Sequence, residues 1–350
     1  MSAVSRIAIP TLVRIKPGAL SRLGIYLARE GWRRPAMFVS AGMVPELLTA
    51  ADQALADEQI DPVVHQEVPD ASLEAAMTAF TSLPTDCDAV VGLGGGRALD
   101  VAKYVAFLAR RPYLAVPTSL SNDGFSSPGA SLTVDGRRRS LPSALPYGVI
   151  VDTEVCRQAP LALWHSGVGD LVAKITAVHD WKLAFHRHGT PVDDLAALLS
   201  DATVHQFTNT PTRDDEGIRL LATALLLNGI AMEICGSSRP ASGSEHLVSH
   251  ALDVLVPGRY LHGIQVGVAT YLVSQLQGQG TERIASVFDR TGFWDTARER
   301  PFERDTLLEA VRRAPSLKDD FPTVLSQGDP VAEVRRVLDD DPRLEGVVVA

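Results

Sequence analysis

Cysteine is scarce in this chain. Cys87, Cys156 and Cys235 are an odd number with no Cys-x-x-Cys pair, which excludes a disulfide framework and fits a reducing compartment. A surplus of positive charge is also missing. Lys and Arg number 33 against 42 Asp and Glu, giving a net charge of −9 and a pI of about 5.5. A polyanion needs a basic surface, so nucleic acid is not the expected partner, whereas a small anionic substrate needs only a local basic patch. No apolar run is long. The longest aliphatic-rich stretch, Leu220 to Leu227, falls far short of the roughly 20 residues of a spanning helix. Met1 to Pro10 carry no apolar run of the signal-peptide kind. The expectation is a soluble, cytoplasmic protein without a membrane partner. With 27 Gly and 22 Pro in 350 residues, collagen-like and low-complexity chains are excluded. What is present in quantity is apolar: 45% of the residues, enough for a sizeable core. At about 100–200 residues per domain, the length suggests two domains.

The first half alternates between two periodicities. Strand-like runs at Pro35–Ser40, Pro62–Val68, Ala89–Leu93, Tyr113–Pro117 and Gly148–Asp152 enclose helical patterns at Pro45–Gln59, Leu73–Leu83 and about Ala98–Ala109, with Ser72 a suitable N-cap. This rhythm predicts a parallel sheet with crossover helices. Leu132-Thr133-Val134, Asp135-Gly136 and Arg137-Arg138-Arg139 read as a hairpin, its arginines as a solvated arm. After about Cys156 the pattern becomes helical: Leu161–Leu199 with a break near Gly189 and Pro191, then Gly217–Ile234, Ser244–Val254, Val266–Gln277 and on to about Asp340. The expected division is an α/β domain over residues 1–158 and an all-α domain over 159–350. The apolar helical half allows a homo-oligomer.

Two stretches carry chemistry. Gly92-Leu93-Gly94-Gly95-Gly96 closes a strand and opens a helix. Glycines admit a phosphate close to the backbone, and the helix start offers free N–H groups. The loop departs from the usual dinucleotide fingerprint, since it follows several strands and no acidic residue lies about 20 positions on. Thr118, Ser119 and Ser121 at the next strand end can hydrogen-bond ribose or phosphate, and Asp123-Gly124 also reads as a turn. The second stretch is Ser242-Gly243-Ser244-Glu245-His246-Leu247-Val248-Ser249-His250. His246 and His250, four apart, share a helix face, and His262 follows before another helix. Asp170, in Gly167-Val168-Gly169-Asp170, is read in the first turn of a helix, where a carboxylate also suits the dipole. One carboxylate and two imidazoles suit zinc, iron or nickel and leave coordination positions open.

Gly94 to Lys103, Pro117-Thr118-Ser119, Asp123-Gly124, Ser127-Pro128, Gly169-Asp170 and the run from Ser238 through Arg239-Pro240-Ala241 to His246 occur in one order. In this they resemble the sn-glycerol-1-phosphate dehydrogenases, within the superfamily of iron-type alcohol dehydrogenases and dehydroquinate synthases. The resemblance implies a Rossmann-like α/β domain followed by a helical, dehydroquinate synthase-like domain. It implies NAD or NADP bound by Gly94, Gly95, Gly96, Arg97, Ala98, Leu99, Asp100, Thr118, Ser119, Leu120, Ser121 and Ser127. It places one divalent metal on Asp170, His246 and His262, and substrate at Asp123, Asp170 and His250. The implied reaction is reduction of dihydroxyacetone phosphate to sn-glycerol 1-phosphate, with His250 or Asp123 as proton donor. Lys174 and Arg239, flanking the metal motifs, are the expected phosphate cations. Two departures stand out: Arg97 where Lys is common, and Ile264-Gln265 after His262-Gly263 where a His-Gly-Glu-like run is usual. The alternatives are a dehydrogenase for another polyol or phosphorylated alcohol, or a sugar-phosphate cyclase.

Overall fold

A computed structural model describes residues 8–350; most of the Met1–Pro10 reading lies outside the described residues. The first elements are β1 (Leu12–Lys16), α1 (Leu23–Arg29), β2 (Ala36–Ser40), α2 (Pro45–Asp57), β3 (Val64–Val68), α3 (Leu73–Thr81), β4 (Val90–Gly94), α4 (Gly96–Ala109), β5 (Tyr113–Pro117), β6 (Gly129–Val134), β7 (Arg137–Pro142), β8 (Gly148–Asp152) and α5 (Thr153–Gln158). Then come α6 (Leu161–Val172), α7 (Lys174–His188), α8 (Asp194–Asn209), α9 (Asp215–Cys235), α10 (Ser244–Leu255), α11 (His262–Gln277), α12 (Thr281–Thr291), α13 (Phe293–Glu299), β9 (Phe302–Glu303), α14 (Arg304–Arg313), α15 (Pro330–Asp340) and β10 (Val348–Val349).

The chain forms two compact units. One comprises residues through 159 together with 213–233, and the other residues 160–212 with 234–350. Residues 213–233, expected with the helical half, therefore belong to the first unit. They form most of α9, whose Gly229 lies against the Ser126 carbonyl and whose Leu225 carbonyl accepts from Ser126 Oγ at 2.9 Å. Among the described residues α9 is the one helix long and apolar enough to cross a membrane, but 61% of its apolar window is buried. It serves as a core helix.

In the first unit six strands form a parallel sheet in the order β1-β8-β5-β4-β2-β3. Alternation of side chains sends Met37, Val39, Val91, Leu93, Leu114, Val116 and Ile150 to one face, where they bury Leu23, Leu27, Ala51 and Leu55 of α1 and α2. Each such aliphatic side chain contributes roughly 1.5–3 kcal/mol on full burial. The sequence reading missed β1 and α1. Leu-Val-Arg-Ile-Lys is mixed in polarity, and β1 is a sheet edge whose partner, β8, lies more than 130 residues on. The hairpin forms as expected, β6 against β7, turning at Asp135-Gly136. The second unit is helical apart from one small parallel pair, β9 with β10.

Candidate active site

The glycine loop joins β4 to α4 in the first unit. Gly94 has φ +135°, and a Cβ there would come 2.2 Å from Ser40 Oγ, so the fold itself requires this glycine. Ser40 Oγ in turn accepts from Gly95 N–H at 2.9 Å. Gly96 is different: a Cβ at this first residue of α4 would meet nothing within 4 Å. That open space at a helix start is a cradle of the kind a pyrophosphate fills. Arg97 is exposed and donates to the Pro69 carbonyl, whereas Ala98, Leu99 and Asp100 are buried. Burial raises the Asp100 pKa, against the lowering pull of Lys103 and Arg138, each 3.9 Å away. Ser119 and Leu120 are buried beside the strand end, while Thr118, Ser121 and Ser127 are half-buried.

Lys103, one turn beyond Asp100, had no role in the sequence reading. Its fully buried ammonium donates to the Gly124 carbonyl, to the Gly129 carbonyl at 2.8 Å and to Ser127 Oγ at 3.3 Å. It pins the turn carrying Asp123 and Ser127 onto α4. Asp100 and Lys103, three apart on a helix that is otherwise largely apolar (Val101, Ala102, Val105, Ala106), were the available signal.

In the second unit, α6 and α11 meet backbone to backbone. A Cβ on Gly169 would lie 2.1 Å from the Gly263 carbonyl oxygen, and one on Gly263 would lie 1.8 Å from that of Ser166. Gly263 N–H donates to Ser166 Oγ at 3.0 Å. The neighbours of these two glycines are Asp170 and His262, so the close approach delivers both to one point. Helix α10 supplies His246. Its first turn is held by Asp180, which accepts from Ser244 N–H at 2.7 Å.

Asp170 is not in a first turn. It sits in the last turn of α6 and is completely buried, where the helix dipole disfavours a carboxylate. A capping role is therefore excluded, and neighbouring groups must hold its charge. Lys174 Nζ lies 3.4 Å from Oδ2, and Oδ1 faces His246 Nε2 at 3.3 Å and His262 Nε2 at 3.8 Å. The three ligand atoms lie within 4.8 Å of one another. Tetrahedral bonds of about 2.0–2.2 Å put ligand atoms ~3.3–3.6 Å apart, so the convergence fits a divalent ion. The charge also fits: with neutral imidazoles, Asp170, Glu245 and Lys174 sum to one negative charge. Without an ion, burial alone would raise the Asp170 pKa, but Lys174 and the two histidines outweigh it and hold the carboxyl well below its usual range. For His246 burial pulls down, and the hydrogen bonds with Asp170 and Glu245 outweigh it, raising its pKa to about 9.

Glu245, quoted in the motif but given no role from sequence, is buried and faces His246 Nδ1 at 2.9 Å. His250 lies one turn after His246 and is exposed, its ring 6.4 Å from that of His262. Asp123 is in the first unit, half-buried in a short turn at 123–125. The two expected phosphate cations are a correction. Lys174 has no exposed side-chain surface and is spent on Asp170. Arg239 is 3% exposed, donates to the Pro322 carbonyl at 2.8 Å and stacks 3.5 Å over Phe321. Helix packing has enclosed both, and neither presents its charge to a ligand in solvent.

Comparison with solved structures defines the class of fold. A glycerol dehydrogenase from Schizosaccharomyces pombe superposes with a TM-score of 0.75 at 17% identity, covering 99% of this chain and 92% of that one. An iron-containing alcohol dehydrogenase from Thermotoga maritima gives 0.66 at 18% identity, with 98% and 99% covered. The sequence model for iron-containing alcohol dehydrogenases matches residues 14–160. A glycerol-1-phosphate dehydrogenase [NAD(P)+] from Metallosphaera sedula is 34% identical over 91% of this chain and 92% of its own length. Another, from Pyrobaculum arsenaticum, is 32% identical over 97% and 98%. The chain belongs to the glycerol-1-phosphate dehydrogenase family of iron-type alcohol dehydrogenases.

Proposed function

We infer that the protein is a metal-dependent, NAD(P)-linked dehydrogenase that reduces dihydroxyacetone phosphate to sn-glycerol 1-phosphate. The observation that carries the reading is the convergence of His246 and His262 on Asp170, a buried carboxylate placed against its helix dipole. Kinship supplies the substrate. The donor set of one oxygen and two nitrogens suits zinc, nickel or iron. When bound, the ion would supply a Lewis acid at the substrate oxygens and the nicotinamide a hydride. The protein's own part is to hold and to protonate. Gly94 to Asp100, with Thr118, Ser119, Leu120, Ser121 and Ser127, cradles the dinucleotide, the pyrophosphate lying over the open side of Gly96. Asp170 orients substrate as well as metal, and Asp123 contacts substrate. The exposed His250 imidazole is suited to pass a proton from solvent to the new hydroxyl. The residues after β2 are Ala41 and Gly42, with no carboxylate to repel a 2′-phosphate, so both NADH and NADPH serve. Three cysteines outside any disulfide, two of them buried, fit a cytoplasmic enzyme.

The test is oxidation of NADH or NADPH followed spectrophotometrically, with added zinc, nickel or iron. Dihydroxyacetone phosphate should exceed dihydroxyacetone by at least about tenfold in kcat/KM, the worth of one charge-assisted hydrogen bond to the phosphate. Equal turnover of the two would make the protein a general polyol dehydrogenase. Product formation without net loss of reduced cofactor would make it a cyclase.

A further inference from the structure

The two histidines of the cluster turn the same ring atom, Nε2, toward Asp170. A metal takes the lone pair of a neutral imidazole nitrogen, so the single proton of each ring must sit on Nδ1. Each Nδ1 has a partner on α10. His246 Nδ1 faces Glu245 Oε1 at 2.9 Å. Glu245 is itself fixed: Oε1 accepts from Gly243 N–H at 2.6 Å, and Oε2 accepts from Thr176 Oγ1 at 2.9 Å. His262 Nδ1 faces Ser249 Oγ at 3.2 Å. A serine hydroxyl has one proton, and Ser249 directs it to Gln265 Oε1 at 2.6 Å. The Gln265 amide cannot turn round, because its NH₂ donates to Asp253 Oδ1 at 3.2 Å. Toward His262, Ser249 is therefore an acceptor. Glu245 and Ser249 are four residues apart, so one turn of α10 addresses both rings.

We propose that Glu245 and Ser249 are positioning residues of the metal site, each taking the Nδ1 proton of one histidine so that both Nε2 lone pairs face Asp170. The Asp253–Gln265–Ser249 chain sets the tautomer of His262, and the Thr176–Glu245 pair sets that of His246. This gives Gln265, part of the unusual run after His262, a specific task. The inference rests on the metal-site reading above.

The experiment uses the full-length protein, stripped with a chelator and titrated with Zn²⁺ against a chromogenic competitor, with Co²⁺ absorption as a second readout of ligand geometry. Ser249→Ala and Glu245→Leu should each raise the Zn²⁺ Kd by about 10–100-fold, the usual effect of removing such an outer partner. Glu245→Gln should recover most of the loss, since its amide oxygen still accepts from His246 and Gly243. Circular dichroism of the metal-free proteins separates this from simple unfolding. If Glu245→Leu does not fold, Ser249→Ala decides alone, because it removes one surface-free atom. A Ser249→Ala Kd within twofold of wild type, with an unchanged Co²⁺ spectrum, overturns the proposal. Failure of the wild type to bind metal would instead remove the reading on which it rests.

Discussion

The chemistry of the site begins with a single misplaced charge. Asp170 at the end of α6 gains nothing from its helix, and Lys174, one turn on, offsets it from within the same buried volume. His246 responds by holding a proton up to about pH 9 when no ion is present. Metal must displace that proton, because only neutral imidazole donates a lone pair. Below about pH 9 the affinity should therefore rise close to tenfold per pH unit, then level off. Calorimetric titrations in buffers of different ionisation enthalpy would show about one proton released per ion at neutral pH. A Kd independent of pH between 6.5 and 8.5 would contradict the assignment. The same shift has the opposite effect on the metal-free fold. A histidine whose pKa is raised in the folded state lends stability that is complete below its ordinary value of about 6.5 and is lost as pH rises through 9.

At the scale of elements, the candidate metal site depends on how near two helices can come. The α6–α11 contact leaves no room for a side chain on Gly263, whose Cβ would meet a backbone oxygen rather than a flexible side chain. Gly263→Ala should push α11 off α6, lower stability by roughly 1–3 kcal/mol and weaken metal binding by moving His262 away from Asp170. Denaturant unfolding and metal titration of the same variant measure both effects. Gly96→Ala is the contrast, since open space surrounds its Cβ, and it should leave unfolding unchanged. Normal metal affinity in Gly263→Ala would show that the close helix contact does not set the site.

For the whole molecule, the candidate metal site and the proposed dinucleotide cradle belong to different units. Asp170, His246 and His262 all lie in residues 160–212 and 234–350, and the glycine loop lies in the unit that includes residues through 159. Hydrogen exchange should separate them. Zn²⁺ should slow amides of α6, α10 and the start of α11, whereas NADH should slow the β4–α4 junction and the 118–127 segment. Saturation at 100 times Kd corresponds to about 2.7 kcal/mol of stabilisation, enough to read at individual amides. Zn²⁺ protection centred on β4 and α4 would refute the assignment of the ligands to these units.

Local chemistry was legible in the chain itself. Strand, glycines and helix in succession imply a tight strand-to-helix junction with free N–H groups at the start of α4, because the change of periodicity is a short-range property, whereas the need for glycine at position 94 comes from Ser40 on another strand. His246 and His250 share a face because helical spacing alone puts them there. The alternation of strands and helices likewise implies the parallel sheet. Tertiary structure decided what depends on distant partners. Asp170 reads as a helix start, but α6 begins at Leu161 and ends at Val172, which makes the expected capping carboxylate a buried one at a helix end. Lys174 and Arg239 looked available because they flank the motifs, but burial is set by elements far away in sequence, Phe321 and Pro322 among them for Arg239. Residues 213–233 return to the first unit for the same reason: an all-round apolar helix carries no mark of which core will enclose it. Spacing along the chain fixes which residues share a face, and only packing fixes what that face meets.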